Sequence, residues 1–388
     1  MKKGWEIKRL EDCFKLKSGD GLTSKMMSDD GNYPVFGGNG IAGLHNQFNL
    51  TGSNVIIGRV GALCGNVRHM NEEIWLTDNA FKVVDFKYDF DHSFLTYLLN
   101  FKNLREYARQ AAQPVISNSS LKDVILEFPK SLPEQQRIVA ILDEAFAAIA
   151  KAKANAQQNL QNAKELFESY LQGVFENKGE GWEEKSLEEL ADEKCTLSYG
   201  IVQPGEEYLD GLPIIRPTDL TKRFIDLTGL KRIDPKLADG YKRTKLIGDE
   251  LLLCVRGTTG TISIATKELA GANVTRGIVP IRFNSKIINQ EFGYYLLISN
   301  FIQKQIRAKT YGAALMQINI GDLRKIQTAY PPLKTQQAIV QKLDALSAET
   351  KKLESIYQQK INDLEELKKS VLQKAFAGEL KTTNEELA

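Results

Sequence analysis

The sequence predicts an α+β fold in which two mixed α/β domains are separated by two long coiled-coil helices that pair antiparallel. Three observations predict this fold. Segments of the first half return in the same order in the second half, which indicates an internal repeat with pseudo-twofold symmetry. Each half opens with short strand-like segments rich in Gly, Asn and Thr, and each closes on a long proline-free stretch with heptad spacing.

We divide the chain of 388 residues into five segments on this plan, because its length accommodates two domains that each bury a core. They are a first domain at 1–130, a first long helix at 131–177, a second domain at 178–331, a second long helix at 332–380 and a polar tail at 381–388.

The repeat is carried by four pairs of matching segments in the same order. They are 4–11 with 181–188, 55–61 with 251–257, 94–99 with 292–297, and 135–139 with 336–340. Most of the sequence between these segments differs, so the two domains share a plan more than they share surface residues.

Each domain combines strands with a short helix. Residues 52–67 have an apolar core at Val55-Ile56-Ile57 with glycines at both ends, a pattern typical of a buried strand. Amphipathic spacing predicts one short helix near 94–111 and its counterpart near 292–308.

The two long helices begin at proline-marked junctions, 128–133 and 330–333, and contain no further proline until about Phe175 and Phe376. Apolar residues then recur in steps of four and three for about six heptads, which predicts coiled coil of roughly 65 Å per helix. The seam residues that define the two frames are Ile138, Leu142, Ile149 and Leu166, with Ile339, Leu343, Leu353 and Leu364.

The two seams are complementary in size. The first is mostly alanine and the second mostly leucine and tyrosine, so antiparallel pairing about the midpoint would bring Ala152 near Tyr357 and Ala156 near Leu353. The alternative is that each helix packs only on its own domain, but helices of this length extend well beyond a domain core.

Composition excludes several classes of protein. No run of some eighteen apolar residues spans a membrane, and no apolar segment follows the first lysines, so we expect a cytoplasmic protein without a membrane partner. The cysteines are far apart and never in a CxxC arrangement, which favours free thiols and no metal site. They are Cys13, Cys64, Cys195 and Cys254. The net charge of +2 neither supports nor excludes nucleic acid.

The plan and the motif Leu-Pro-x-x-Gln-Gln-x-Ile-Val at 132–139, with its partner at 332–340, resemble the specificity subunit of type I restriction-modification systems. The resemblance covers nearly the whole chain. Further segments similar to that family are 33–40 and 57–61 in the first domain, and 214–220 and 255–260 in the second. One departure is Lys334-Thr335, where the family usually has an acidic residue before Gln-Gln.

The resemblance implies that each domain is a target-recognition domain for one half of a split site on double-stranded DNA. It implies that the helices set the gap between the halves and, through the seam residues named above, dock two modification (methyltransferase) subunits. Restriction subunits would join through them. S-adenosylmethionine, ATP and magnesium are then expected only on partner subunits, with no cofactor in this chain. Because the two domains differ, the DNA site should be asymmetric.

The second domain contains the clearer candidates for DNA contact. Between Pro213 and Arg282 thirteen Lys and Arg stand against seven Asp and Glu, although such a cluster is also typical of a solvated face. Phosphates attract Lys and Arg, whereas base edges suit Arg, Asn and Gln on reaching loops. The candidates are Arg216, Thr218, Lys242, Arg243, Arg256, Thr258, Thr259, Arg276, Gln317 and Asn319.

The first domain has less charge and weaker candidates. They are Lys17, Lys25, Asn39, Arg59, Arg68 and Asn79. The glycines at 37–40 could present backbone amides to a phosphate, but such a cluster is more often a turn. His45 and His69 could lie in a groove, but a surface or hydrogen-bonded histidine is the commoner arrangement.

The sequence lacks the motifs of a catalyst. No GxxxxGK[ST] phosphate loop is present, and no carboxylates are patterned for a nuclease. The adenine methyltransferases that partner the family carry Asn-Pro-Pro-Phe, whereas the nearest string here, at 330–333, is Tyr-Pro-Pro-Leu. We therefore expect a non-catalytic subunit. The alternatives are a coiled-coil adaptor with protein-binding globular ends and an enzyme that fuses methylation with recognition.

Overall fold

The computed structural model describes residues 4–109, 113–313 and 315–380, and the chain divides into two compact units. Unit 1 comprises Met1–Gln157 with Gln359–Ala388, and unit 2 comprises Gln158–Gln358. Each long helix contributes one half to each unit. The polar tail lies outside the described residues. The helix predicted near 94–111 is shorter than expected, because it ends at Phe101, before the described residues stop at 109.

The globular part of unit 1 contains nine short strands and three short helices within the described residues. The strands are β1 (Trp5–Arg9), β2 (Lys15–Ser18), β3 (Tyr33–Gly37), β4 (Gly40–His45), β5 (Asn54–Gly58), β6 (Val67–Met70), β7 (Trp75–Leu76), β8 (Ala80–Val84) and β9 (Ile125–Pro129). The helices are α1 (Leu10–Cys13), α2 (His92–Phe101) and α3 (Asn118–Leu121), and the first long helix, α4 (Leu132–Glu176), follows.

Unit 1 is built around an antiparallel sheet in the order β2-β8-β5-β6. Residues of β5 alternate between its two faces, so Val55 and Ile57 pack with Phe94 of α2 while Ile56 packs with a second cluster around Leu76. The second sheet, β4-β3-β7, pairs β3 with β4 antiparallel and with β7 parallel. β1 pairs with β9 just before α4 begins.

Unit 2 has the same plan. Its strands are β10 (Glu183–Ser186), β11 (Leu212–Ile215), β12 (Phe224–Ile225), β13 (Lys231–Ile233), β14 (Leu251–Cys254), β15 (Ile262–Ala265), β16 (Asn273–Val274), β17 (Ile278–Ile281), β18 (Thr310–Tyr311), β19 (Gln317–Ile318) and β20 (Gln327–Tyr330). Its helices are α5 (Leu187–Leu190), α6 (Gln290–Ile298), α7 (Asn300–Ala308) and α8 (Ile320–Arg324), followed by the second long helix, α9 (Leu333–Phe376).

The sheets of unit 2 share the central strands of those of unit 1. In the sheet β12-β15-β14-β17, β14 pairs antiparallel with β15 and β17 as β5 pairs with β6 and β8, whereas β12 is a parallel edge strand that unit 1 lacks among its described residues. The other sheet, β13-β11-β16, again joins an antiparallel and a parallel pair. On β14, Leu251 and Leu253 pack with Phe292 of α6, whereas Leu252 packs with the cluster around Val274. The predicted α+β class and internal repeat are therefore confirmed.

The helix predicted near 292–308 is wrong as a single element. It is broken at Ser299, whose backbone is extended and whose side chain accepts a hydrogen bond from the amide of Ile302. A serine in this position satisfies a free amide of the new helix, so it begins α7 instead of continuing α6.

A buried glutamine joins each long helix to its domain. Gln135 is 0% exposed; its Oε1 accepts from the Asp91 amide at 2.9 Å, and its Nε2 donates to the carbonyls of Asp89 and Pro129. Asp91 caps α2 and Pro129 ends β9, so one side chain connects a strand, a helix start and α4.

Gln336 makes the same three bonds in unit 2. Its Oε1 accepts from the Asn289 amide, and its Nε2 donates to the carbonyls of Ile287 and Pro331, each at 2.8 Å. Asn289 caps α6 as Asp91 caps α2. The Gln-Gln motif of the repeat is therefore a structural joint, which the sequence pattern alone did not reveal.

A tyrosine–aspartate bond repeats about two turns further along each long helix. Tyr97 of α2 donates to Asp143 at 2.5 Å, and Tyr295 of α6 donates to Asp344 at 2.5 Å. Burial, together with the neighbouring carboxylate, raises the pKa of both tyrosines well above the usual value. In unit 2 Arg223 adds a bond of 2.6 Å to the same aspartate.

The carboxyl end of each long helix is held by a buried phenylalanine. Phe376 of α9 packs in unit 1 against Phe94 and Phe101, with ring centroids 5.7 and 4.9 Å apart. Phe175 of α4 packs in unit 2 against Phe292 at 5.5 Å. Each domain core therefore includes the start of one long helix and the end of the other.

The pairing of α4 with α9 is antiparallel, as the contacts within unit 1 show. Lys368 of α9 lies over the ring of Phe146, and Glu365 forms an ion pair with Lys153. The predicted register is wrong by about one heptad, because pairing about the midpoint would place Lys153 opposite residue 356. A heptad pattern is unchanged by a shift of seven residues, so the pattern fits both registers equally well. The burial of the helix ends in the domain cores decides which register forms.

The seam also departs from the strict heptad frame. Leu166 was expected in the seam, but its side chain is 51% exposed, and Leu367 of α9 is 48% exposed. Phe167 and Leu171 pack into the core of unit 2 instead. An α-helix has 3.6 residues per turn and drifts about 20° per heptad, so the buried stripe moves by one residue along a helix of this length. Ile138, Leu142, Ile149 and Leu343 are buried as the frame predicts.

Replacing Gln135 or Gln336 with leucine should destabilise its unit by about 3 kcal/mol, because three buried main-chain groups lose their partners in each case. Urea unfolding followed by circular dichroism measures the change. The neighbouring Gln136 and Gln337 are exposed, so Gln136→Leu and Gln337→Leu are matched controls that should leave the midpoint nearly unchanged. If the substitutions of the buried and of the exposed glutamines lowered the urea midpoint equally, the structural role of the buried amides would be contradicted.

Candidate nucleic-acid interface

Residues that are distant in the sequence of unit 2 meet at one edge of its sheets. β14 runs antiparallel to β17 with Cys254 opposite Ile278, so the loop 255–260 and residues 275–277 lie at the same end. Arg256 also forms a bridge with Gln317 of the hairpin β18–β19. We call residues 255–260, 275–277 and 310–319, leaving out 314, the reading edge of unit 2.

The hairpin is fastened to the loop by hydrogen bonds. The amides of Gly257 and Ile318 donate to the carbonyls of Met316 and Val255 at 2.8 and 3.0 Å. The hydroxyl of Thr259 donates to the Met316 carbonyl at 3.0 Å. Gly257 has φ +91°, a conformation that disfavours other residues. The reading edge is therefore a defined surface and not a set of independent loops.

Two predicted arginines project from the reading edge. Arg256 and Arg276 are exposed and form no ion pair with any residue in 4–109, 113–313 or 315–380. Arg276 lies over the ring of Tyr199 at 5.9 Å. Solvent-exposed guanidinium groups are suited to phosphates and to guanine edges.

The polar candidates of the edge have local partners. Gln317 donates to the Tyr311 hydroxyl at 3.2 Å, and that hydroxyl donates to Asn319 at 2.6 Å. Thr258 contacts the sulfur of Cys254. Two candidates, Gln317 and Asn319, are thus brought together around Tyr311, an aromatic residue that the sequence analysis did not select.

Arg216 and Thr218 lie next to this edge. β11 ends at Ile215, whose carbonyl accepts the amide of Thr275 at 2.9 Å. The guanidinium of Arg216 is bonded to both carboxylate oxygens of Asp219, at 3.1 and 2.9 Å, whereas Thr218 is exposed. A contact of Arg216 with DNA would have to share the guanidinium with this carboxylate.

Lys242 and Arg243 belong to a different part of unit 2. Both are exposed on a short turn whose Thr244 bonds to Asn273, the first residue of β16. Lys242 and Lys245 line a separate cavity of about 230 Å³. The structure does not bring them to the reading edge, so any contact with DNA there would be made by a second patch.

Part of the positive charge in unit 2 is taken up by ion pairs with carboxylates, so the unpaired charge lies on the remaining Lys and Arg residues. Arg216, Lys222, Arg223 and Arg282 are each paired with a carboxylate. Arg282 contacts the fully buried Glu250. The charge that remains for a ligand is therefore mainly on exposed residues such as Arg256, Arg276 and Lys242.

Unit 1 has a reading edge of the same construction. The amide of Ile116 donates to the Arg59 carbonyl, as that of Ile318 does to Val255, and the amide of Gly61 donates to the Pro114 carbonyl, as that of Gly257 does to Met316. Asn39 joins this edge because its Oδ1 accepts from the Leu63 amide at 2.9 Å.

Arg59 takes the position of the buried Val255. Its guanidinium lies over Phe81 at 5.3 Å and donates to the Asp78 carbonyl at 3.2 Å. The residue equivalent to Arg256 is Val60, because Val60 forms a bridge with Val115 as Arg256 does with Gln317. Arg59 comes one position earlier, and neighbouring residues of an extended segment face opposite sides. Contact of Arg59 with DNA stays a prediction.

The remaining candidates of unit 1 are spread over its surface. Asn79 is exposed near Arg59, whose amide donates to the Asn79 carbonyl. Arg68 lies against Gly40 and over the Phe36 ring at 5.9 Å. Lys17 is exposed on β2, opposite Lys82. Lys25 is exposed near the other end of the β3–β4 hairpin from Asn39.

Sequence reasoning missed two arginines at the edge of unit 1. Arg105 donates to the carbonyl of Ala62, and the Arg109 amide donates to that of Val115; both residues are exposed. They follow α2 in a segment that was expected to be one continuous helix. The chain instead turns after Phe101, which brings both cations to the edge.

The histidines do not lie at the reading edges. Ser53 bonds to His69 and to His92 at 2.8 Å each, and His69 also bonds to Ser93. Ser53 precedes β5, whereas the reading edge follows it. His45 bonds to the carbonyl of Met26. The hydrogen-bonded arrangement, the commoner of the two considered, is the one present.

Several expectations about chemistry can be compared with the described residues. All four cysteines are free and buried. No group of three or more His, Cys, Asp or Glu side chains in 4–109, 113–313 and 315–380 could hold a metal ion. Within the same ranges, no helix is both long and apolar enough to cross a membrane.

Comparison with known proteins identifies the family. The sequence model described as type I restriction modification DNA specificity domain matches residues 2–160 and 179–366, which is most of the chain. The chain belongs to this family. The repeat of one domain-plus-helix unit is thus also visible as two matches to one family model.

Three type I specificity subunits of Escherichia coli are similar to this family member. EcoBI is 28% identical over 287 residues, 68% of this chain, and EcoprrI is 30% identical over 169 residues, 41% of this chain. The chain spans only 60% and 42% of the length of these two relatives. EcoDI is 23% identical over 97% of this chain and 88% of its own length.

Solved structures share the fold. One chain, from a study of the complex assembly and conformational transition of the type I R-M system, matches with a TM-score of 0.73 and 17% identity, covering 97% of this chain and 99% of that one. The HsdS subunit of Thermoanaerobacter tengcongensis matches with a TM-score of 0.62 and 17% identity, covering 98% of both chains.

The histidine cluster generates a prediction about pH. Burial, and secondarily the neighbouring His69, lower the pKa of His92 below its usual value of 6.5. His92 also stacks on Phe86 and follows Asp91 at the start of α2. The unfolded chain then binds more protons than the folded chain below about pH 6.5, so stability should fall as the pH drops from 7.5 to 5.5.

Urea midpoints of the chain and of His92→Gln at both pH values measure this effect, and His92→Gln should lose less stability on acidification. His45→Gln, which changes a histidine outside the cluster, should keep the pH dependence of the parent chain. An identical acid-induced loss in His92→Gln and the parent would contradict the assignment.

Proposed function

We propose that the chain is the DNA sequence-recognition subunit of a type I restriction-modification complex, in which each unit reads one half of a bipartite site. The observation that carries this proposal is the repeated reading edge. Both units use the same backbone hydrogen bonds to hold a loop and a following segment, and both expose cations and amide side chains there. Membership of the specificity family supports the same function.

The site should be asymmetric, because equivalent positions of the two edges carry different chemistry. Arg256 corresponds to Val60, and Gln317 corresponds to Val115. An arginine and a glutamine can each make paired hydrogen bonds to a purine, whereas valine offers only apolar contact. The two half-sites should therefore differ in sequence.

The long helices would set the gap between the half-sites and dock two methyltransferase subunits, and restriction subunits would join through them. Exposed apolar residues on the helices, including Leu166, Leu367 and Ile356, support a role in binding partners. The alternative of a coiled-coil adaptor with protein-binding ends is less favoured, because exposed cations and amide side chains occur at both edges.

We propose further that this subunit is non-catalytic and binds no cofactor itself. S-adenosylmethionine, ATP and magnesium would be bound by its partners. The Tyr-Pro-Pro-Leu string belongs to the junction of β20 with α9, where it forms part of the scaffold. A cytoplasmic location stays a prediction.

The decisive experiment is selection of random duplex DNA by the complex of this chain with its methyltransferase subunits. Recovery of one split, asymmetric sequence supports the proposal. Sequence-independent binding, or no binding, would overturn it. The methyltransferase subunits without this chain are the control and should recover no split sequence.

Arg256→Ala should relax specificity in one half-site and weaken binding by about 1–3 kcal/mol, because an arginine that pairs with a base edge contributes this much discrimination. Selection with the variant complex identifies the half-site. Lys236→Ala removes another exposed cation of unit 2 and should leave the selected sequence unchanged. Equal loss of specificity in both halves would count against two independent readers.

Removing one heptad from the middle of each long helix should change the preferred gap while leaving both half-sites intact. The reason is that seven residues shorten a helix by about 10 Å, close to three base pairs of duplex. DNA selection with the shortened complex measures the gap. An unchanged gap would show that the helices do not set it.

A further inference from the structure

The reading edge of unit 2 also contains an exposed pair of apolar residues, for which the polar candidates for DNA contact give no role. Leu315 and Met316 have 45% and 44% of their surface exposed, although both side chains are apolar. They directly precede Gln317, the bridge partner of Arg256. A solvent-exposed apolar pair beside two candidates for base contact either faces a ligand or is there by accident.

The backbone argues against accidental placement. The Met316 carbonyl accepts from both the Gly257 amide and the Thr259 hydroxyl, and the Ile318 amide is bonded to Val255. The side chain of Leu315 lies over Gly257, where an added Cβ would approach its Cδ1 to 3.9 Å. The apolar pair is therefore presented from an anchored segment.

Unit 1 holds different residues on the same anchor. The Gly61 amide donates to the Pro114 carbonyl as the Gly257 amide donates to that of Met316. Pro114 thus corresponds to Met316, and Gln113 corresponds to Leu315. The same backbone hydrogen bond therefore positions Gln-Pro in one unit and Leu-Met in the other. Two domains that read different DNA sequences require such a difference in side chains on a shared backbone.

We propose that Leu315 and Met316 recognise the C5-methyl group of thymine in the half-site read by unit 2. This inference rests on the proposed function and deepens it. Thymine alone among the four bases presents a methyl group in the major groove, the groove in which arginine and glutamine also read purines. The nearby cation Arg276 would complement the phosphates that border the groove.

The inference predicts that the half-site of unit 2, identified with Arg256→Ala, contains at least one thymine whose methyl group contributes to binding. Replacing that thymine with deoxyuridine removes only the methyl group and should weaken binding by about three- to fivefold, the value of one buried methyl. Synthetic duplexes contain no methylated cytosine, so thymine is the only source of this group.

The test measures the affinity of the complex for thymine and uracil duplexes, with the parent chain and with Leu315→Ala/Met316→Ala. The parent should prefer thymine, whereas the double variant should bind both duplexes equally and about as weakly as the parent binds uracil. Leu209→Ala removes another leucine of unit 2, 88% exposed in a turn, and should keep the preference of the parent. Uracil in the other half-site should give the same change in affinity for the parent and the double variant.

The outcomes separate the inference from the function that it rests on. If a split site is selected but its unit 2 half lacks thymine, or uracil binds the parent as well as thymine, the inference fails and the function stands. An undiminished thymine preference in the double variant also overturns the inference. If no sequence is selected at all, both fail. Thermal unfolding should be unchanged in the double variant, since both side chains are exposed.

Discussion

Gln135 and Gln336 each bind three main-chain groups from separate elements of one unit, and the rest of that unit depends on these bonds. In each unit one buried side-chain amide holds together a long helix, the strand before it and the start of the short helix α2 or α6. Because the same side chain both accepts and donates, only glutamine or a close equivalent fits. The orientation of each domain on its own helix is set here, and so is the direction in which the reading edge faces.

The two units share the backbone hydrogen bonds of the reading edge but differ in the side chains that those bonds position. Equivalent backbone bonds hold the two reading edges, while the side chains on them change from Val60 to Arg256 and from Pro114 to Met316. Recognition can therefore change without altering the core, because the varied residues are exposed and the hydrogen bonds that place them involve main-chain atoms. Base readout of this kind requires side chains aimed from a rigid frame.

A net charge of +2 gives no sign of a nucleic-acid ligand, and tertiary structure explains why. In unit 2 several cations are consumed internally: Arg282 pairs with the buried Glu250, and Arg223 pairs with Asp344 on the long helix. These pairs stabilise the domain and offer nothing to DNA. Among the cations that stay exposed and unpaired, Arg256 and Arg276 lie on the edge that the shared backbone bonds define, so a local surface and not the overall charge would attract a phosphate backbone.

The sequence by itself determined the repeat, the strands around Val55 and Leu251, both long helices and their antiparallel pairing, because these depend on local periodicity and on residue size. It could not determine the register of the helices, since a heptad pattern is unchanged by a shift of seven residues; the burial of Phe175 and Phe376 in the two cores decides it. Nor could it group Arg256 with Gln317, which are about sixty residues apart in the sequence, or Arg105 and Arg109 with the edge of unit 1. Those positions depend on contacts between distant segments, which only the tertiary structure brings together.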